Sequence, residues 1–182
     1  MARVLVPLAH GCEELEAVTI LDLLVRAGIE VVSAGLESGP VTASRGVVLV
    51  PQTTLDAVMH EAFDMIVLPG GGPGAERLDH DPRIVELVKK MAAAGHYVAA
   101  ICAAPKVLAH AGVLKGKRAT SFPGYLDKMA DIHYVTDSVV QDGKVITSRG
   151  PGTAMDFTLH LIEVLADKET RTKVEAGLVR PH

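Results

Sequence analysis

Apolar residues along the chain fall into two rhythms. Arg3 to Leu8, Glu30 to Ala34, Met65 to Leu68 and Tyr97 to Ile101 are short, nearly unbroken apolar runs. They predict strands covered on both faces, as in a parallel sheet, because a half-solvated strand would alternate. Glu14 to Ala27, Pro82 to Ala94 and Ala154 to Ala166 instead repeat their apolar positions with helical spacing, and Gly28 and Gly95 are placed as stops. Strand, helix, strand predicts an α/β fold with right-handed crossovers, helices on both sheet faces and a ligand site beyond the carboxyl ends of the strands. Val41 to Ala43 and Val47 to Val50 read as a hairpin excursion. Val135 to Val140 and Lys144 to Ser148 flank an Asp142-Gly143 turn and read as strands near an edge. Lys168 to Leu178 reads either as a closing helix or as a partly mobile tail.

Composition narrows the class. With 182 residues, 48% hydrophobic and 22% charged, the chain can fill a three-layer core as one domain spanning residues 1–182. A net charge of −4 with no basic stripe argues against direct nucleic-acid binding. Val4 to Ala9 is too short for a signal peptide and no apolar run reaches bilayer length, so a soluble, cytoplasmic protein with no membrane partner is expected. Cys12 and Cys102 are expected to be reduced there, and neither their spacing nor that of the eight histidines implies a metal.

Four segments could carry chemistry. Val98 to Leu108 is an apolar strand running straight into a helical pattern with Cys102 at the junction. Small alanines permit a sharp turn and Pro105 suits a first helical turn. A thiol at a helix N-terminus is expected to ionise more readily; the same residues also fit a small buried core thiol. Leu68-Pro69-Gly70-Gly71-Gly72-Pro73-Gly74 follows a strand. It could supply N–H groups to an oxyanion or be only a tight turn, and it matches neither a phosphate-cradling nor a dinucleotide pattern. Glu13, Glu14 and Glu16 open a helix, where the dipole alone would favour them. Glu16, however, falls on the side of Thr19, Ile20 and Leu23, where a buried, protonated carboxyl could move a proton. Thr147 to Ala154 repeats strand, Gly/Pro turn and helix, with Thr153 as N-cap and Arg149 able to orient an acid or a partner subunit.

Taken in order, Gly11-Cys12-Glu13-Glu14-Leu15-Glu16, Asp22 to Ile29, Ser44-Arg45-Gly46-Val47, Val67 to Gly71, Ala99 to Pro105 and Thr147 to Thr153 resemble the superfamily named for ThiJ, PfpI and the Parkinsonism-associated DJ-one protein, specifically its bacterial YajL-like branch. The resemblance implies a flavodoxin-like three-layer sandwich with a mostly parallel sheet and a cysteine nucleophile elbow. It implies a homodimer, with Cys102 as nucleophile and Glu16 as its protonated partner. It also implies that the Gly71 and Ala103 N–H groups face the pocket, with Arg26 and Arg45 near the dimer interface. Two departures bear on mechanism. Ala103 follows the cysteine where protease-like members have His, and Phe122 stands in the pocket loop where DJ-one itself has His, so proton transfer is left to Glu16 or water. The activity implied is a cofactor-independent glyoxalase or protein deglycase, of the hydrolase or lyase class, acting on methylglyoxal, glyoxal or their early protein adducts. The alternative is a redox-responsive chaperone or stress sensor working through oxidation of Cys102. Isocyanide hydratase or amidotransferase-like chemistry also occurs on the fold, and the missing His speaks against the latter.

Overall fold

The computed structural model of the chain describes residues 1–181. Eleven strands and seven helices alternate along it: β1 (Arg3–Leu8), α1 (Glu14–Arg26), β2 (Glu30–Gly35), β3 (Val41–Thr42), β4 (Val48–Leu49), β5 (Thr53–Thr54), α2 (Leu55–Val58), β6 (Met65–Leu68), α3 (Gly72–His80), α4 (Pro82–Ala93), β7 (Tyr97–Ile101), α5 (Pro105–His110), β8 (Arg118–Ala119), β9 (His133–Tyr134), β10 (Val139–Asp142), β11 (Val145–Ser148), α6 (Ala154–Leu165) and α7 (Lys168–Gly177).

The strands that the apolar runs predict are the centre of one seven-stranded sheet, ordered β10-β11-β7-β6-β1-β2-β5, with every pairing parallel except β10 with β11. Val4, Leu5, Ile66, Val67, Val98 and Ala99 are wholly buried, as strands covered on both faces require. Truncating one of the larger of them to alanine should cost roughly 2–5 kcal/mol. α1 packs with α6, and α6 with α7, while α3, α4 and α5 pack on one another, giving the three layers. From β1 the chain passes through α1 to β2 on one side, then returns across β1 to β6. That reversal between β1 and β6 opens a crevice at their carboxyl ends.

Several boundaries differ from the sequence expectation. β10 starts at Val139 rather than Val135 and runs through Asp142; it forms one edge of the sheet with β11 beside it, so both strands lie near an edge as expected. Lys168–Gly177 is a helix, capped by Asp167 and seated through buried Val174. Helix α3 begins inside the glycine-rich segment read as a loop, since Gly72 is already helical. Thr153 precedes α6 without capping it. Its Oγ1 accepts instead from the N–H groups of Gly150 (3.1 Å) and Arg149 (3.2 Å). Among the described residues, no helix is long and apolar enough to cross a membrane.

Candidate active site

At the end of β7 the chain turns at Cys102 with φ 66°, a left-handed conformation that strains any residue with a Cβ. Two backbone bonds hold it there. The Cys102 N–H donates to the Ser148 carbonyl of β11 (3.0 Å), and the Cys102 carbonyl accepts from Phe122 N–H (2.8 Å). The side chain is therefore lifted off the sheet into the crevice and left 8% exposed.

The three acids of the α1 entry separate by role. Glu13 is the N-cap, accepting from Leu15 N–H, and takes a bond from the Ser44 hydroxyl. Glu14 pins the β3–β4 turn, accepting from the N–H groups of Arg45 (3.0 Å) and Val47 (3.2 Å) and from the Ser44 hydroxyl (3.0 Å). Glu16 is 0% exposed and points inward, where its Oε1 accepts from Gly70 N–H at 2.9 Å. Its Oε2 is buried without a hydrogen-bond partner, while the carboxyl as a whole lies within hydrogen-bonding reach of the Cys102 thiol.

Gly70 and Gly74 are what allow this closeness. A Cβ at Gly70 would stand 2.5 Å from Cys102 Cβ and 2.7 Å from Glu16 Oε1, and one at Gly74 would stand 2.5 Å from Cys12 N. The glycine segment is thus the wedge on which the thiol, the carboxyl and the α1 entry all rest.

Electrostatics bind the pair together. Burial raises the Glu16 carboxyl to about 7, against the opposing pull of the Gly70 N–H and the thiol. Burial and then the Glu16 charge push the Cys102 thiol up to about 12, while the N–H groups of Gly71 and Ala103 favour the sulfur anion. This reverses the expectation of an easily ionised thiol. α5 begins only at Pro105 and is six residues long, so its dipole is small and offset, whereas an acid lies directly against the sulfur. The two groups are coupled, since the charge of either one disfavours ionisation of the other.

The predicted residues are not all gathered at the thiol. Cys102, Glu16, Gly71 and Ala103 converge. Phe122, 45% exposed, lies over the crevice rim, edge-on to Tyr125 at 6.5 Å. Arg149 holds the same loop, donating to the Ser121 carbonyl (3.2 Å) and the Tyr134 hydroxyl (2.9 Å). Arg26 is exposed, pairs with Asp22, and lies roughly 15 Å along α1 from Glu16. Arg45 meets Glu14 through its backbone while its side chain is exposed. Sequence reasoning passed over Gly70, Ser148 and Tyr125 as individual residues. Only the first left a signal, as the leading glycine after a strand. Cys12 and Cys102 are both free.

The profile of one protein family matches residues 2–164, nearly the whole of this architecture, under the description DJ-1/PfpI family. The chain belongs to the DJ-1/PfpI family. Within it, the chain is 45% identical to the protein dj-1beta of Drosophila melanogaster over 178 residues, 96% of this chain and 95% of that one. It is 39% identical to the glutathione-independent glyoxalase DJR-1.2 of Caenorhabditis elegans over 92% of this chain and 90% of the other. The solved structure of oxidized Toxoplasma gondii DJ-1 superposes with a TM-score of 0.96 at 41% identity, covering 100% of both chains. These likenesses agree with the flavodoxin-like sandwich and support a glyoxalase or deglycase type of role for a chain of this family.

Proposed function

We propose that the chain is a cysteine-dependent glyoxalase and protein deglycase that converts methylglyoxal to lactate and glyoxal to glycolate, consuming only water. The observation that carries this is the wholly buried Glu16 carboxyl turned to the Cys102 thiol. As Glu16 takes the thiol proton, the sulfur bonds to the aldehyde carbon. The carbonyl oxygen, facing the N–H groups of Gly71 and Ala103, then receives that proton to give a hemithioacetal. Glu16 next removes the proton from the former aldehyde carbon and returns it to the neighbouring carbon, while the hemithioacetal hydroxyl proton passes to the oxygen on that neighbouring carbon. The first carbon is oxidised to a thioester as the second is reduced to an alcohol. Water cleaves the thioester, freeing the hydroxy acid and the thiol. An early adduct on a protein amine enters the same path, the amine leaving as sulfur takes its place. With Ala103 after the nucleophile and Phe122 at the rim, Glu16 is the side chain suited to each transfer.

The functional unit in this reading is a homodimer. Leu15, Val18 and Val25 form an exposed apolar stripe on α1, and exposed Val47, Val48 and Val50 continue it across the hairpin that Glu14 ties to the helix. Arg26 and Arg45 border that surface. The free thiols suit a reducing compartment such as the cytoplasm.

Methylglyoxal turnover tests the assignment: wild type releases lactate, and Cys102→Ala and Glu16→Gln each lose most of the rate. A rate unchanged in Cys102→Ala removes the enzymatic reading. The name of the oxidized Toxoplasma relative supports a second reading, in which Cys102 reports peroxide by forming an oxygen adduct held by the same N–H groups. Intact mass after peroxide titration decides it, an adduct absent from Cys102 counting against.

A further inference from the structure

Between α3 and α5, five ionisable side chains meet. Glu76 and His80 lie one turn apart on α3, with His80 Nδ1 2.8 Å from the Glu76 carbonyl oxygen and 3.2 Å from its Oε1. Asp79 stands beside them, and one ligand atom each from Glu76, Asp79 and His80 fall within 4.8 Å of one another. From the last turn of α5, His110 brings its Nδ1 to 2.8 Å from the Asp79 carboxylate. Lys106, one turn earlier, pairs with Glu76 and reaches 4.0 Å from Asp79.

An acidic cluster alone calls for nothing but counter-ions. Here, however, imidazoles from two different helices reach the two carboxylates, His80 lying on Glu76 and His110 on Asp79, whose side chain is only 5% exposed. Two carboxylates and two imidazoles are the donor set of borderline first-row ions rather than of calcium or magnesium. The fixed member is Asp79. Glu76, His80 and His110 have half or more of their side chains exposed, so rotation can bring donors to the spacing of about 3.3 Å that bonds of about 2 Å impose. Lys106 shows that the position already attracts a cation, and its ammonium holds the Glu76 carboxyl below the usual range.

We propose that Glu76, Asp79, His80 and His110 form a surface site for one divalent transition ion of the zinc class, which takes its place by displacing the Lys106 ammonium. The ion would staple α3 to α5, the two helices that begin just after Gly71 and Cys102. Neither helix carries the whole set, so the spacing of histidines along the sequence does not reveal it.

Calorimetric titration of the full chain with zinc chloride tests the site, with cobalt(II) as a reporter whose visible spectrum distinguishes imidazole and carboxylate donors from thiolate. One zinc per chain is expected, unaltered by Cys102→Ala, and a cobalt spectrum without thiolate charge transfer. Replacing His80 and His110 together by alanine should weaken zinc binding at least about 100-fold. Lys106→Met should tighten it roughly tenfold by removing the competing ammonium. Zinc affinity that survives the double histidine replacement, disappears in Cys102→Ala, or is absent even in Lys106→Met overturns the proposal.

Discussion

Cys102 and Cys12 are two thiols in one glycine-lined neighbourhood with opposite prospects. Both are buried, both are raised by burial and by nearby glutamates, and the segment Gly70–Gly74 passes between their backbones. Burial and a raised thiol value therefore do not separate the two. What differs is the wiring. Cys102 has a left-handed backbone, two N–H groups at its sulfur and the Glu16 carboxyl within hydrogen-bonding reach. Cys12, raised to about 11 first by burial and then by the Glu14 charge, has no positive φ and only its own N–H to favour the sulfur anion. A thiol that must hand its proton on needs a recipient more than it needs a low pKa.

The comparison breaks first at the sulfur atoms. Cys102→Ala should lower kcat/KM for methylglyoxal by about 10⁴-fold or more. Cys12→Ala should leave the rate nearly intact and cost about 1 kcal/mol of stability for the methyl-sized void, read by urea denaturation. Equal losses of rate from both would erase the distinction.

Next is the recipient. Glu16→Gln should lose roughly 10²- to 10⁴-fold in kcat while making the fold more stable. The folded carboxyl sits at about 7 against an ordinary 4.5, so the native state holds this proton more tightly than the unfolded chain. Stability from that source is fully present below 4.5 and lost as pH rises to about 7. Above neutrality the ionised carboxyl thus costs about 3 kcal/mol, a cost that glutamine does not carry. In wild type, kcat/KM should rise with pH through about 7, as Glu16 loses its own proton and becomes able to accept the one on the thiol. A profile flat from pH 5 to 9 contradicts this role for Glu16.

Smaller effects come from the backbone. Gly70→Ala forces a methyl against Cys102 Cβ and Glu16 Oε1 and should destabilise by about 1–3 kcal/mol. The same change should depress activity, since the thiol and carboxyl are the groups that must yield. Cys102→Gly, with no Cβ to strain, should gain roughly 1 kcal/mol in thermal or denaturant melts. Cys12→Gly should lose stability. A loss at both positions would mean that the φ of 66° stores no strain.

The sheet was legible because buried parallel strands have no polar side to disguise them: Arg3–Leu8, Met65–Leu68 and Tyr97–Ile101 coincide with the predicted runs. Helix α3 was hidden because its opening residues, Gly72 to Gly74, are chosen for approach to the Gly11–Glu13 turn rather than for helix propensity. At the site, the inward face of α1 disclosed Glu16, and the strand-to-helix junction disclosed Cys102. The upward shift of the thiol was not legible because it comes first from burial of the elbow and then from a carboxyl 86 positions away, neither of which a local pattern encodes. Arg26 marks a different boundary. Its place in the resemblance concerns a second copy of the chain, so nothing within one chain fixes what it meets.

The bond from Cys102 N–H to the Ser148 carbonyl also sets a timetable. During synthesis the elbow emerges 46 residues before the strand that completes it. Until β11 has left the ribosome and docked beside β7, nothing on that side holds the left-handed turn. A nascent or truncated chain ending short of Ser148 carries the same sulfur and the same glutamate but lacks the bond that holds the elbow between them.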